Sequence, residues 1–525
     1  MNAVRPVLRP VLLVIAVAAV LRVSQASSQD LWADELFSLA IATGHSLEHP
    51  ASAVVPELKD FVEPAAAVPP ATFRRYLEHE SPPAGPRRVI RAVLLSDTSP
   101  PLYYLALAAW TRAAGTSDFA VHLFSVAWAL ATMPLIWLLG CRLGGPRVAL
   151  IACVVYAVAP VSLYYAVEAR MYSMLWFLSA LTAWLTLRLH DRGGWAALAS
   201  WTLVSGAGLL THYFYVFVWA ACLLWVLLRP GRCSPVQLAG AALAALIVVA
   251  PWYQLVPDSL ARWRITGNWL DGRPPAAKLL GAPLTLGWSL LSGRGVWGGV
   301  KVVDTVGALL VLALGLALLR RGWAAVIGGG RDLIWLWAIA SCVGPVVFDL
   351  FRATSTSMIG RYALAGMPAA VLLTALAIGT LPVRAGVGAL ALLVGTWAPG
   401  LSDVFSHRAR AWEPYRLAAA RVGAWAGPGD LVIVHSIPSG VLGIARYLRA
   451  DVPIAAWVGQ LGRRRMPGDL MALLSGRQRV ALIRIHEVGE PAPEEAWLRA
   501  NATVLRDEKL DGAVIVYFAL AATRR

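Results

Sequence analysis

Eleven apolar runs, each about the 17–23 residues needed to cross a bilayer, constrain this chain more than anything else in it. They occupy residues 8–26, 118–140, 147–166, 170–189, 195–211, 213–229, 236–256, 299–319, 331–350, 358–380 and 383–399. In hydrocarbon no water satisfies a backbone N–H or C=O, so runs of this length are read as helices. Composition agrees: only 14% of the 525 residues are charged, against about 25% in soluble domains. The net charge of +16 invites a nucleic-acid partner. The arginines, however, fall in short clusters between apolar runs, where they anchor loops, so no nucleic acid is expected. Many of the 23 tryptophans lie at the ends of those runs, as interfacial belts do.

The positive-inside rule orients the runs. With the N-terminus in the cytoplasm, the inner loops carry Arg142 and Arg147, Arg188 and Arg192, Arg229 and Arg232, then Arg320, Arg321 and Arg331, and finally Arg384. Residues 101–114 are too short for a span, and counting them would reverse this pattern. They read as an extracytoplasmic or re-entrant helix, as do residues 278–292. Arg5 and Arg9 precede the first run, and Ala26-Ser27-Ser28 resembles a cleavage site. An uncleaved first span is favoured over a signal peptide because many spans follow. The expectation is a multi-pass protein of the plasma (inner) membrane with an outside C-terminus. Cys141, Cys153, Cys222, Cys233 and Cys342 show no metal-ligand spacing, and none falls in the segments placed outside, so no disulfide is implied.

Three segments then face outward: residues 27–117, 257–298, and the tail from about 403. The first contains Val68-Pro69-Pro70 and Ser81-Pro82-Pro83. Its middle, 46–90, is of a length that is usually functional or disordered. The tail alternates a helix (412–426), the turn Gly427-Pro428-Gly429-Asp430, a strand (431–434), a helix (439–449) and strands at 479–485 and 513–519. That is the pattern of a small α/β domain. It has no phosphate loop or nucleophile elbow, which favours a structural, acceptor-docking or partner-binding role. The fold class is therefore a mostly α, polytopic membrane protein with a C-terminal soluble α/β domain. Residues 1–402 form the transmembrane catalytic domain, including loop 27–117, and residues 403–525 form the extracytoplasmic domain.

This topology collects polar groups on the outer face. Trp32-Ala33-Asp34-Glu35 follows the first run, and Asp97 precedes Ser99-Pro100-Pro101-Leu102-Tyr103-Tyr104. Glu168, Arg170 and Tyr172 lie between the third and fourth runs. His212 and Tyr213 lie between the fifth and sixth, and Arg361 and Tyr362 begin the tenth. Each has an ordinary explanation. Asp34 and Glu35 suit a helix start, Pro100-Pro101 a first turn, His212 an interfacial site, and Arg361 can snorkel. Together, acids and cations beside apolar walls suit a substrate combining a hydroxyl acceptor with a phosphate.

In this order, Trp-x-Asp-Glu, Asp-x-x-Pro-Pro-Leu-Tyr-Tyr, Glu-Ala-Arg-Met-Tyr, Thr-His-Tyr-Phe and Arg-Tyr resemble the polytopic GT-C glycosyltransferases. That superfamily includes the protein O-mannosyltransferases and the aminoarabinose transferase acting on lipid A. The run Trp412-Glu413-Pro414-Tyr415-Arg416 through Asp430 is similar to the tails of some bacterial members. The resemblance implies an enzyme that takes a sugar from a polyprenyl-phosphate donor outside the membrane and delivers it to a lipid, glycan or protein hydroxyl. It maps the catalytic base onto Asp34, with Glu35 beside it, and further acids onto Asp97 and Glu168. The basic phosphate contacts map onto His212 and Arg361. Ser99 stands where many relatives have His, and the segment from Glu35 to Asp97 is longer than usual. Both departures bear on the acceptor.

The expected chemistry is one displacement at the anomeric carbon, with inversion and with Asp34 as general base. The charge on the leaving phosphate needs cations. Protonated His212 and Arg361 would supply them with no cofactor, and a divalent metal on Asp97 and Glu168 would do the same work. The sequence leaves both routes open. The rival reading is a transporter or flippase of polyprenyl-linked sugars. Such proteins carry internal repeats and mid-membrane ionisable groups, and this chain shows no clear repeat. A structural membrane partner with an outside domain is a third reading.

Overall fold

The computed structural model describes residues 5–49, 54–97, 99–262, 265, 269–292, 301–406, 413–487 and 492–520. Thr98 and Trp412, which belong to two of the motifs above, lie outside the described residues. The chain divides into two compact units, each made of three separate segments. The first comprises Met1–Ser28, His122–Gln254 and Leu270–Ala409; the second comprises Gln29–Val121, Leu255–Trp269 and Arg410–Arg525.

The first unit is helical. Over its described residues each apolar run in it is largely helical, and among the described residues six helices are long and apolar enough to cross a membrane, or seven if the pair Val383–Thr396 and Ala398–Phe405, bent by 49°, is one span. The other runs are also helices, but Trp195–Leu209 and Tyr215–Leu228 have only 15 and 14 residues. At a rise of about 1.5 Å per residue these are shorter than the hydrocarbon layer. The helix Ala276–Ser292, expected outside or re-entrant, packs against Arg331–Arg352 and Met367–Gly379 within this unit.

The continuous helix Asp118–Val158 is two helices in sequence terms, because Gly145 has φ 82° and ψ −180° and is followed by Pro146. Only glycine adopts that conformation without strain. The arms fold back on each other: the Tyr156 hydroxyl donates to the Ala129 carbonyl at 2.9 Å, and a Cβ on Gly140 would lie 2.6 Å from the Ala149 Cα. The second arm ends at Val158 because Pro160 has no N–H to give the Tyr156 carbonyl. Arg22, fully buried on the first helix, fills that gap. It donates to the carbonyls of Tyr156 (3.0 Å) and Ala157 (3.1 Å) and to Ser162 Oγ (2.7 Å).

The second unit is built on a five-stranded sheet of order β2-β1-β3-β5-β4, with β1 Leu431–His435, β2 Ile454–Trp457, β3 Arg479–Ile485, β4 Thr503–Leu510 and β5 Ala513–Ala519. Strands β1, β2 and β3 are parallel, and β5 and β4 close the sheet antiparallel. Leu431, Ile433, Trp457, Leu482, Val516 and Phe518 share one core. Strand β4, Thr-Val-Leu-Arg-Asp-Glu-Lys-Leu, is mostly exposed. Its charges suit a sheet edge and also hide it from a search for apolar strands.

The domain division expected from the sequence changes here. Segment 27–117, assigned to the transmembrane domain, belongs to the same compact unit as the tail. Hydrogen bonds explain why. Val68 pairs with Ile454 on the edge of β2, Arg74 donates to the carbonyls of Ala445 and Leu448, and Arg464 donates to those of Pro64 and Ala65. Asp118 accepts from Arg446 (2.7 Å), Arg416 (3.1 Å) and the Tyr447 hydroxyl (2.9 Å). The described part of 46–90 is ordered, with Asp60 held by Arg91 through two bonds of 2.6 and 2.8 Å.

Candidate functional site

In the second unit, Asp34 opens the helix Ala33–Ala42. Its neighbours are packed away, since Trp32, Ala33, Glu35 and Leu36 are buried while Asp34 keeps partial exposure. Trp32 occupies the N-cap position and has no side-chain acceptor, so the helix start takes its acceptors from elsewhere. Glu35 Oε2 accepts the Trp32 N–H at 3.0 Å, and Glu413 Oε2 accepts the Ala33 N–H at 2.6 Å. The sequence groups Glu35 with Asp34 as catalytic. In the fold Glu35 is 0% exposed and caps its own helix. Asp34 alone of the pair reaches the surface.

Asp97 ends the helix Pro86–Ser96. Its Oδ1 accepts the Ser99 N–H at 2.8 Å and its Oδ2 the Tyr104 hydroxyl at 2.7 Å. The carboxylate thus ties the end of one helix to the start of Leu102–Ala114.

The first unit holds the other expected residues. Glu168 and Arg170 lie in a tight turn between the helices Pro160–Ala166 and Tyr172–Arg192, with the Arg170 N–H donating to the Glu168 carbonyl at 2.7 Å. Both side chains are buried. A continuous file of rings follows. Tyr165 packs edge-on against Tyr172 at 5.0 Å, Tyr172 lies 6.2 Å from His212, His212 lies 5.7 Å from Phe214, and Phe214 lies 5.3 Å from Tyr362. The Arg361 guanidinium stands 5.7 Å from the centre of the Tyr362 ring. Tyr165 lies within electrostatic reach of both Glu168 and Arg361. Three separate chain segments thereby bring Glu168, Tyr172, His212, Arg361 and Tyr362 together. Tyr213 packs against Tyr253 at 5.9 Å.

His212 departs from expectation. Its Nδ1 accepts the Phe214 N–H at 3.1 Å, so Nδ1 carries no proton and the ring presents a neutral Nε2–H donor. It offers a hydrogen bond rather than the charge expected from the sequence. Arg361 and Arg170 are the arginines of this cluster.

The loop that presents Arg361 is fixed by Asp349, which the sequence reading passed over. One oxygen accepts from the Thr354 hydroxyl (2.7 Å), the Thr356 N–H (2.8 Å) and the Thr356 hydroxyl (2.6 Å), and the other from the Ser357 N–H (2.7 Å). An aspartate inside an apolar run was the available signal, as was Arg22 inside the first. Among the described residues no group of three or more His, Cys, Asp or Glu is arranged to hold a metal ion.

Residues 98–254 match the sequence profile of the dolichyl-phosphate-mannose-protein mannosyltransferase family. No curated protein sequence matches the chain. Two solved structures, both of ArnT from Cupriavidus metallidurans, align along nearly the whole molecule. The apo form aligns at TM-score 0.52 and 14% identity, over 91% of this chain and 95% of that one. The form bound to undecaprenyl phosphate aligns at TM-score 0.52 and 14% identity, over 97% of each chain. This protein is a multi-pass membrane protein with the fold of the GT-C glycosyltransferase superfamily.

Proposed function

We propose that the protein transfers a sugar from a polyprenyl-phosphate donor to a hydroxyl acceptor on the extracytoplasmic side of the plasma (inner) membrane. The observation that carries this reading is the cluster in the first unit. Arg361, with the His212 Nε2–H donor, meets the requirement of a leaving phosphate, and the rings of Tyr165, Tyr172, Phe214 and Tyr362 wall it with apolar surface. A lipid phosphate needs both. The match of residues 98–254 to a family named for dolichyl-phosphate-mannose supports the same donor class, as does undecaprenyl phosphate bound to one structure of the same fold.

Asp34, the partly exposed carboxylate of its pair, serves as general base. It takes the proton of the acceptor hydroxyl as the oxygen attacks the anomeric carbon, and the phosphate leaves from the opposite face. One displacement inverts that centre. Glu168 and Tyr172 orient the donor head group, and Arg170 and Tyr213 flank them. The charge that develops on the leaving oxygen is met by Arg361 and by the His212 donor, so no cofactor is needed. Each oxygen of Asp97 already accepts a local hydrogen bond. That casts Asp97 as a loop anchor rather than an open metal ligand, and no step runs through a metal. Retention of activity in EDTA is expected; its loss would assign the charge to a metal instead.

The deciding assay follows release of labelled sugar from a polyprenyl-phosphate donor by purified protein. Release is expected, with the product anomer inverted by NMR, and Asp34→Asn should slow it by about 10²–10⁴-fold at unchanged expression. Movement of intact donor across proteoliposomes without cleavage would overturn the reading in favour of a transporter. A near wild-type rate in Asp34→Asn would remove Asp34 as the base.

A further inference from the structure

Three consecutive amides precede the partly exposed Asp34, and each finds a side-chain oxygen. Leu31 N–H donates to the Tyr447 hydroxyl at 2.8 Å, Trp32 N–H to Glu35 at 3.0 Å and Ala33 N–H to Glu413 at 2.6 Å. Two of the three acceptors come from the tail. Glu413 does more than cap, because its other oxygen, Oε1, lies 2.5 Å from His486 Nδ1. His486 directly follows β3 and has φ 48°, a left-handed conformation uncommon outside glycine but one that histidine, like asparagine and aspartate, adopts more readily than most residues. The backbone adopts it where the imidazole reaches Glu413.

We propose that Glu413 and His486 are positioning residues for Asp34: the carboxylate grips the Ala33 amide, the imidazolium grips the carboxylate, and the pair sets the bearing of the next residue. The proposal rests on the reading of Asp34 as base. Charge gives the pair a second effect. With His486 protonated, Glu413 is neutralised; with His486 neutral, a bare carboxylate faces a site that already holds Asp34 and Glu48. Burial works against the charge on His486, but the hydrogen bond and charge of Glu413, with Asp34 and Glu48 beyond, outweigh it and raise its pKa. The remaining charged groups around the pair line a cleft of about 460 Å³ that Glu413 and His486 share with Arg484, Glu487 and Lys509. Of these, Arg484 is held by Glu487 at 2.8 Å and by Glu495.

The sign follows from a raised histidine pKa. The clamp is complete below the ordinary histidine range and weakens as pH rises through the raised value. In the full-length protein with a labelled polyprenyl-phosphate sugar, Glu413→Gln and His486→Gln should each lower kcat about tenfold and leave the donor KM unchanged. His486→Gln should also remove the alkaline fall that His486 gives the wild-type profile. His486→Arg keeps a donor and a charge that does not titrate, so it should restore kcat and hold it flat across that range. Wild-type kcat and pH profile in both glutamine variants would overturn the proposal. So would a loss of kcat that only tracks loss of folded protein, measured by thermal unfolding of the same samples. Asp34→Asn is run alongside. If it keeps the wild-type rate, the base assignment fails and the positioning role falls with it. If it is inactive while the glutamine variants are unaffected, only the positioning role fails.

Discussion

Arg22 in the first unit and Asp118 in the second are both charged side chains withdrawn from water, yet their partners differ in kind. Arg22 is surrounded by dipoles: the Tyr156 and Ala157 carbonyls, the Ser162 hydroxyl and the face of the Tyr156 ring at 5.2 Å. Asp118 is surrounded by opposite charge, from Arg446 and Arg416, and by one phenol. The contrast recurs at several other sites, although Glu35 and Asp97 of the second unit are held by amides and a hydroxyl. Asp349 and His212 of the first are held by amides and hydroxyls. Asp60, Asp430 and Glu413 of the second are held by Arg91, Arg479 and His486. Among apolar helices the backbone already supplies unsatisfied groups where a helix breaks, and a buried charge is steadied by them. Where segments distant in sequence must be joined, ion pairs give the joint its geometry as well as its attraction.

The contrast can be broken most sharply at Arg22. Arg22→Met leaves two carbonyls without donors and should cost about 3 kcal/mol, read as a drop in unfolding temperature in detergent that salt does not alter. Asp118→Asn should cost about 2 kcal/mol, because the contribution of Arg416, half exposed, is reduced by solvent. Unlike the first loss, this one should shrink in 0.5 M salt, roughly a 4 Å screening length. Equal salt sensitivity at the two sites would erase the distinction. Asp349→Ala releases the turn ahead of Arg361 and should lower sugar transfer about tenfold, near 1.4 kcal/mol in the barrier. An unchanged rate would show that Arg361 is placed without it.

Acid sharpens the same comparison. Burial, aided by the charge of Arg88, pushes His45 of the second unit from 6.5 down to about 4. The unfolded chain therefore binds a proton that the folded unit refuses, and stability is lost as pH falls below 6.5 towards 4. His45→Asn should flatten that slope in a pH series of thermal midpoints. The smallest effect belongs to Arg229, half exposed beside Asp332 at 2.8 Å. Arg229→Ala should cost no more than about 0.5 kcal/mol, and a larger loss would mean that exposed pairs of the first unit obey the rule of the second.

Much of this was legible in the chain because apolar runs and turn residues are local signals. Each run in 118–399 is largely helical over its described residues, and the break between residues 140 and 147 is marked by Gly145-Pro146. Strands β1, β3 and β5 fall at their expected places. Strand β2 has four residues, too few for a period, and β4 is polar along its length. The candidate residues were visible as types and not as states. Asp34 and Glu35 look alike in sequence, and only burial separates the exposed acid from the cap. His212 reads as a cation until its own backbone amide is seen on Nδ1. The joining of 27–117 to the tail was hidden because it depends on hydrogen bonds that span more than 300 residues.

That separation bears on when the protein becomes competent. The Ala33 amide and Glu413 are 380 residues apart, which at about 5–20 residues per second corresponds to roughly 20–80 s of synthesis. Throughout that interval the helix that begins at Ala33 has two amides still awaiting their acceptors, and Asp34 has no fixed bearing. A nascent chain stalled after Arg361 would carry Arg361 and His212 in full yet lack the proposed clamp on the residue before Asp34. If Asp34 is the base proposed above, order of synthesis acts as a safety catch, holding the chemistry back until the segment that carries Glu413 and Tyr447 has emerged.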